Sequence, residues 1–104
     1  MISNKSILII DDNRITRLLL AKIFSKDYEV LQAGDGKTGF DLLLQDPSKI
    51  CTILLNLNMP IMDGFKTLEQ LRNIEECINV PVIDLTIFHK KAFASISKTN
   101  FSPW

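Results

Sequence analysis

The sequence predicts an α/β domain, a three-layer sandwich with a parallel sheet between helices. Three observations predict it. Short apolar runs alternate along the chain with segments whose apolar residues recur at helical spacing. Two of those runs, Ile7-Leu8-Ile9-Ile10 and Ile53-Leu54-Leu55, are apolar throughout, as strands buried on both faces are. Both end abruptly in polar residues, Asp11-Asp12 and Asn56. In open parallel sheets the carboxyl tips of the strands are where ligands bind.

Taken in order, Ser6 to Ile10 reads as the first strand. Asp12 or Asn13 is the expected N-cap of the first helix. Ile15, Leu18, Leu19 and Ile23 fall at helical spacing and are expected on its inner face, with Arg14, Arg17 and Lys22 outward. Tyr28 to Ala33 is mixed in polarity, which predicts a strand near a sheet edge. Gly34-Asp35-Gly36 is a turn by composition. Phe40, Leu43 and Leu44 form a short helical stripe that Pro47 ends. Ile50 to Leu55 is the third strand. A helix follows Gly64, with Phe65, Leu68 and Leu71 inward and Lys66, Glu69, Gln70 and Arg72 outward. Val80 to Thr86 is the expected fourth strand. This β-α-β-α-β-α-β order predicts right-handed crossovers with helices on both faces.

Length and composition bound the function. The 104 residues make one domain, 1–104, with 46% hydrophobic and 23% charged residues. Twelve basic and twelve acidic residues give a formal net charge of zero, which offers no footprint for nucleic acid or an anionic membrane. No apolar run approaches the roughly 18 residues of a membrane span. Cys51 and Cys77 form no metal-spaced cluster and read as reduced thiols of a cytoplasmic protein.

The decisive stretch is Ile53-Leu54-Leu55-Asn56-Leu57-Asn58-Met59-Pro60-Ile61-Met62-Asp63-Gly64. With Asp11-Asp12 after the first strand, it resembles the receiver domains of response regulators. Their third strand reads apolar-apolar-Asp-apolar-x-Met-Pro-x-Met-Asp-Gly. The chain matches that pattern except at the Asp, which is Asn56. The resemblance implies a flavodoxin-like fold and a place in two-component signal transduction. It covers Ser6 to about Ile87, with 88–104 a divergent tail.

By that resemblance Asn56 stands at the phospho-acceptor position. An amide cannot form the mixed anhydride that a carboxylate forms, so the expected function is a phosphorylation-independent protein-interaction module and not an enzyme. A second reading keeps the switch, through another acceptor or an Asp-to-Asn change introduced at position 56. A third, a small Mg²⁺-dependent phosphatase, lacks a nucleophile and a positioned acid. The resemblance makes Asp12 a direct Mg²⁺ ligand, Asp11 a direct or water-mediated one, and the backbone carbonyl of Asn58 a third. Adjacent carboxylates at a strand tip suit a hard cation, and also suit a helix N-terminus. Loss of one anionic ligand at Asn56 predicts weak Mg²⁺ binding. Thr86 and Lys98 fall at the phosphoryl-site switch positions, although Ile87 replaces the small residue usual after the Thr. The implied partner is a signalling protein, a histidine kinase or an output protein.

Asp84 interrupts the apolar strand and is expected to lie where a covering helix is absent. His89 reads as part of a solvated turn, and Asp63 as a turn or helix-start residue. Eleven residues separate Thr86 from Lys98. A parallel crossover needs about a dozen or more before the next strand begins. Phe88, Phe93, Phe101 and Trp104 are too many aromatics for a solvated tail. The expectation is a two-fold dimer whose chains exchange these C-terminal segments, with an antiparallel hairpin through His89-Lys90-Lys91 or a disordered tail as the alternatives.

Overall fold

A computed structural model describes residues 5–57, 59, 64–75 and 79–86. Its elements run β1 (Ser6–Ile10), α1 (Arg14–Phe24), β2 (Glu29–Ala33), α2 (Gly36–Gln45), a 3-10 turn (Pro47–Lys49), β3 (Ile50–Leu55), α3 (Gly64–Leu71) and β4 (Val82–Asp84). The strands form one parallel sheet in the order β2-β1-β3-β4. The predicted parallel α/β sandwich is therefore the fold, and β2 lies at an edge as its mixed polarity implied.

β1 is buried along its whole length because it sits between two strands and two helical layers. Its alternate residues feed two cores. Leu8 and Ile10 pack with Leu43 of α2, Leu71 of α3, and Ile53 and Leu55 of β3. Ile7 and Ile9 pack with Leu20 of α1 and Leu54 of β3. The α2 layer comes very close to the sheet at Gly39. A Cβ added there would lie 2.5 Å from Ile10 Cδ1 and 2.7 Å from its Cγ1.

Both long crossover helices start on a side-chain cap. Asn13 Oδ1 accepts from the Thr16 N–H at 3.0 Å at the start of α1. Asp35 Oδ1 accepts from the Thr38 N–H at 2.7 Å at the start of α2. Pro47 follows the end of α2 and opens the 3-10 turn, as a residue without an N–H can.

The phase of α1 corrects the expectation from spacing. Thr16 and Leu20 face the sheet, while Ile15, Leu18, Leu19 and Ile23 are exposed. The helix is apolar on more than one side, so periodicity alone left its rotation open. Arg17 also turns inward rather than out, because its Nη1 donates to the Asp11 carbonyl at 2.6 Å. In α2, Leu43 is buried and Phe40 half-buried, but Leu44 is exposed. In α3, Thr67 and Leu71 are buried and Leu68 half-buried; Lys66, Glu69, Gln70 and Arg72 are exposed as expected. The Phe65 side chain lies outside the described residues.

The fourth strand is shorter than expected, running Val82–Asp84 rather than Val80 to Thr86. Asp84 Oδ1 accepts from the Thr86 N–H at 2.8 Å. That local bond turns the backbone out of the extended conformation, and Leu85–Thr86 are helical. Asp84 itself is half-exposed at the tip of β4, so its carboxylate avoids the cost of burial.

Two stability outcomes follow from this packing. Gly39→Ala should destabilise the fold by about 1–3 kcal/mol, since the overpacking against Ile10 outweighs the helix propensity gained. Urea denaturation at neutral pH reads it, and an unchanged midpoint would mean that α2 can lift from the sheet. Asp35→Ala should cost about 0.5–1 kcal/mol, the lower end for a cap because the site is open to solvent. The Thr38 N–H holds the Asp35 carboxyl below its ordinary value of 3.8. A carboxyl lowered on folding contributes above its unfolded value and loses that contribution as pH falls through the folded one. The gap between wild type and variant should therefore close in acid; a gap that persists there would contradict the assigned cap.

Candidate functional site

Parallel pairing puts the polar strand ends side by side. Ile10 is in register with Ala33 of β2 and with Leu55 of β3. The ladder continues one step beyond both strands: the Asp11 N–H donates to Ala33 O at 3.0 Å, and the Asn56 N–H to Ile10 O at 2.9 Å. Asp11 and Asn56 thus stand on neighbouring strand tips at the carboxyl edge of the sheet. Leu55 is in turn in register with Asp84, which brings the tip of β4 to the next position along that edge.

Asp11 is fully buried, Asn56 nearly so, and Asp12 exposed. Asp11 Oδ1 accepts from the Asn13 N–H at 2.9 Å, a local turn that also sets the cap of α1. The Asn56 carboxamide closes the site. Its Nδ2 donates to Asp11 Oδ1 at 3.2 Å and to Asp12 Oδ1 at 3.3 Å. An amide has two N–H donors on that nitrogen, so one can serve each carboxylate. At these distances both contacts are longer than the usual charge-assisted bond, so each contributes about 0.5–1.5 kcal/mol.

A carboxylate at position 56 would behave differently. It has no donor for Asp11 or Asp12, and like charges 4 Å apart repel by about 4 kcal/mol at an effective dielectric of 20. The amide keeps nearly the same shape, removes that repulsion and adds two attractive contacts. Among the described residues no group of three or more His, Cys, Asp or Glu side chains converges to hold a metal ion. The oxygen donors of Asp11 and Asp12 still fit a hard divalent cation, which they would hold with charge neutralisation as its contribution. Such an ion would compete with the Asn56 amide for the same two carboxylates.

The remaining sequence candidates divide. Thr86 is two residues beyond the end of β4, half-buried, with its N–H committed to Asp84. Asn58, Asp63, Ile87, His89 and Lys98 lie outside the described residues. Sequence reasoning missed Arg17, whose guanidinium fixes the Asp11 carbonyl at 2.6 Å. A basic residue on the first turns of the helix after the acidic pair was the available signal, but it reads equally well as a solvated face.

The response regulator receiver domain model matches residues 7–98. The chain belongs to the receiver family. Sporulation initiation phosphotransferase F of Bacillus subtilis is 34% identical over 86 residues, 82% of this chain and 66% of that protein. Response regulator PleD of Caulobacter vibrioides is 38% identical over 81 residues, 77% of this chain and 17% of that protein. The receiver chain thus spans just under two thirds of the first relative and a small part of the second. The fold is also that of chemotaxis protein CheY4 of Vibrio cholerae, with a TM-score of 0.70 at 23% identity over 77% of this chain and 66% of that one. The Mn²⁺-bound form of response regulator Rcp1 aligns with a TM-score of 0.64 at 26% identity, over 75% of this chain and 62% of that one. Receiver domains serve two-component signal transduction and bind Mg²⁺ at the acceptor site.

Asn56→Asp should destabilise the metal-free receiver by about 1–3 kcal/mol, through repulsion from Asp11 and Asp12 and loss of the two amide bonds. Mg²⁺ should restore much of that loss, while it stabilises the wild type little. Urea titrations of both proteins with and without Mg²⁺ read the difference. A variant as stable as wild type without metal would show that the amide contacts carry no net free energy.

Proposed function

We propose that this receiver acts in two-component-type signalling as a phosphorylation-independent protein-interaction module. The observation that carries the reading is the Asn56 carboxamide bound to both Asp11 and Asp12. Phosphoryl transfer to a receiver needs a carboxylate nucleophile, and the amide at 56 cannot form the mixed anhydride. The same amide satisfies the acidic pair, so the pocket rests in one state without an added cation. Mg²⁺ then binds weakly, through Asp11 and Asp12 with the carbonyl of Asn58 as the further ligand. Thr86 and Lys98 occupy the switch positions by family resemblance and have no phosphoryl group to answer.

The partner class is a signalling protein, a histidine kinase or an output protein, met through the receiver surface in the cytoplasm. No described helix is long and apolar enough to cross a membrane. The chain carries out no turnover of its own. A homodimer through the C-terminal segment belongs to the same reading, supported by the aromatics Phe88, Phe93, Phe101 and Trp104.

Small phosphodonors such as acetyl phosphate, with Mg²⁺, should add no stable phosphoryl group to the wild-type chain by intact mass. Asn56→Asp should recover phosphorylation, and Asn56→Asp with Ile87→Ala should recover it faster. A phosphoryl group found on any Asp of the wild-type pocket would defeat the reading and favour a receiver that uses another acceptor. Mg²⁺ affinity should be millimolar or weaker, rise about 10–100-fold in Asn56→Asp, and vanish in Asp12→Ala; each tenfold step corresponds to about 1.4 kcal/mol. Micromolar wild-type affinity in a calorimetric titration would contradict the weak site.

A further inference from the structure

The amino edge of the sheet, at the opposite end of β1 from the acidic pair, holds a second polar feature. Among the described residues, Ser6 Oγ is a fully buried side-chain oxygen with no hydrogen-bond partner. A hydroxyl held out of water without a partner is costly and uncommon. Ser6 is paired with Glu29 of β2 on one side and with Ile50 of β3 on the other. Paired side chains share a face, so these residues point to the α2 side of the sheet, as Leu8 and Ile10 do. The β1–β3 register shifts between Ser6 and Ile7, which breaks the ladder beside the hydroxyl. Lys49 precedes Ile50, and its Nζ lies 2.8 Å from Glu29 Oε2. The ion pair therefore spans β1 at the position of Ser6. Beside it lies a cavity of about 170 Å³, between β2, the start of β3 and the last turn of α2. Leu31, Leu42 and Ile50 line it with apolar surface, and Glu29, Asp46 and Lys49 with charge.

We infer that this cavity binds an aliphatic α-amino acid. The site is remote from Asn56, goes beyond the interaction-module reading and does not depend on it. A cavity of about 150 Å³ holds a molecule the size of benzene, so a branched alkyl chain suits the space. Leu31, Leu42 and Ile50 give that chain an apolar surface to cover.

The charges select the head group. Asp46 is engaged by the Ser48 hydroxyl at 3.0 Å, and Lys5 by the Ser48 carbonyl at 3.3 Å. Glu29 and Lys49 are the pair that meets the ligand. A lone cation would take Glu29 and strip Lys49 of its carboxylate; a lone anion would do the reverse. A zwitterion exchanges the pair: its ammonium goes to Glu29 and its carboxylate to Lys49, and no charge loses a partner. Both side chains of the pair are partly exposed, so opening it costs little. Opening it also uncovers Ser6, whose hydroxyl both donates and accepts and so serves either end of the head group. One ligand class thus uses the apolar surface, both charges and the buried hydroxyl.

The test is saturation-transfer NMR titration of the full chain with L-leucine as the probe. Glycine keeps both charges without the chain, isopentylamine keeps the chain and the ammonium, and isocaproate keeps the chain and the carboxylate. L-Leucine should bind saturably, and each of the other probes about tenfold more weakly or worse. Glu29→Gln, at the exposed rim, should weaken leucine about fivefold or more with an unchanged circular dichroism spectrum. Ser6→Ala should weaken leucine about threefold or more while raising the urea midpoint, because the free variant no longer buries an unpartnered hydroxyl. No saturable leucine signal overturns the site. Isopentylamine or isocaproate binding as well as leucine overturns the zwitterion. Glycine binding as well as leucine overturns the apolar surface. Leucine affinity unchanged in Glu29→Gln overturns the assigned ion pair, and a lowered urea midpoint in Ser6→Ala overturns the role of the hydroxyl.

Discussion

At the carboxyl edge of the sheet, one side-chain amide joins two carboxylates. Asn56 Nδ2 lies 3.2 Å from Asp11 Oδ1 and 3.3 Å from Asp12 Oδ1. Two adjacent acids at a strand tip, one fully buried, are costly unless something donates to them. A metal ion is one solution to that cost, and a tethered amide is another. The amide is always present, since its backbone is held by the Asn56 N–H to Ile10 O bond. It needs no ion concentration to do its work.

That arrangement is delivered by the sheet rather than by the pocket residues themselves. The register of β1 with β2 and β3 fixes where Asp11 and Asn56 stand, and the two cores on either face of β1 fix the register. A slip of one residue would exchange the Leu8–Ile10 face with the Ile7–Ile9 face and leave the tips out of line. Arg17 adds the last constraint by holding the Asp11 carbonyl from α1. The same bond turns Arg17 toward β2, on the flank away from Ile15, Leu19 and Ile23. The electrostatic finish of the pocket and the exposed apolar surface of α1 are thus two results of one helix rotation.

The inner strands were legible in the sequence and the rotation of α1 was not, for a physical reason. β1 and β3 are buried on both faces, so their apolar runs have one reading, and their boundaries agree with the structure. α1 has apolar residues around much of its circumference, so several rotations satisfy its hydrophobic pattern equally. The rotation is decided by what the sheet accepts, Thr16 and Leu20, and by the Arg17 contact to a carbonyl that sequence does not display. β4 was overextended because Asp84 was read as a charge inside a strand, whereas its carboxylate ends the strand by capturing the Thr86 N–H. At the site, Asp11, Asp12 and Asn56 were legible from the polar ends of apolar runs. Their hydrogen-bond pairing was not, since it depends on which of two amide atoms faces the acids.

A signalling switch needs two states of comparable free energy and a ligand that favours one of them. In a receiver with a carboxylate at the acceptor position, repulsion among acids keeps the empty pocket high in free energy, and a cation or phosphoryl group changes it. Here the Asn56 amide donates to both acids instead. A ligand can shift an equilibrium only by its differential affinity for the two states. With the acidic pair satisfied in place, a cation gains only the surplus of its own binding over the two amide bonds it must break. On the proposed reading the pocket has little leverage over the rest of the domain. Among the described residues, Ile15, Leu18, Leu19 and Ile23 of α1 and Ile83 of β4 are large apolar side chains left exposed, and on that reading such surface, rather than the pocket, is where a partner would be met.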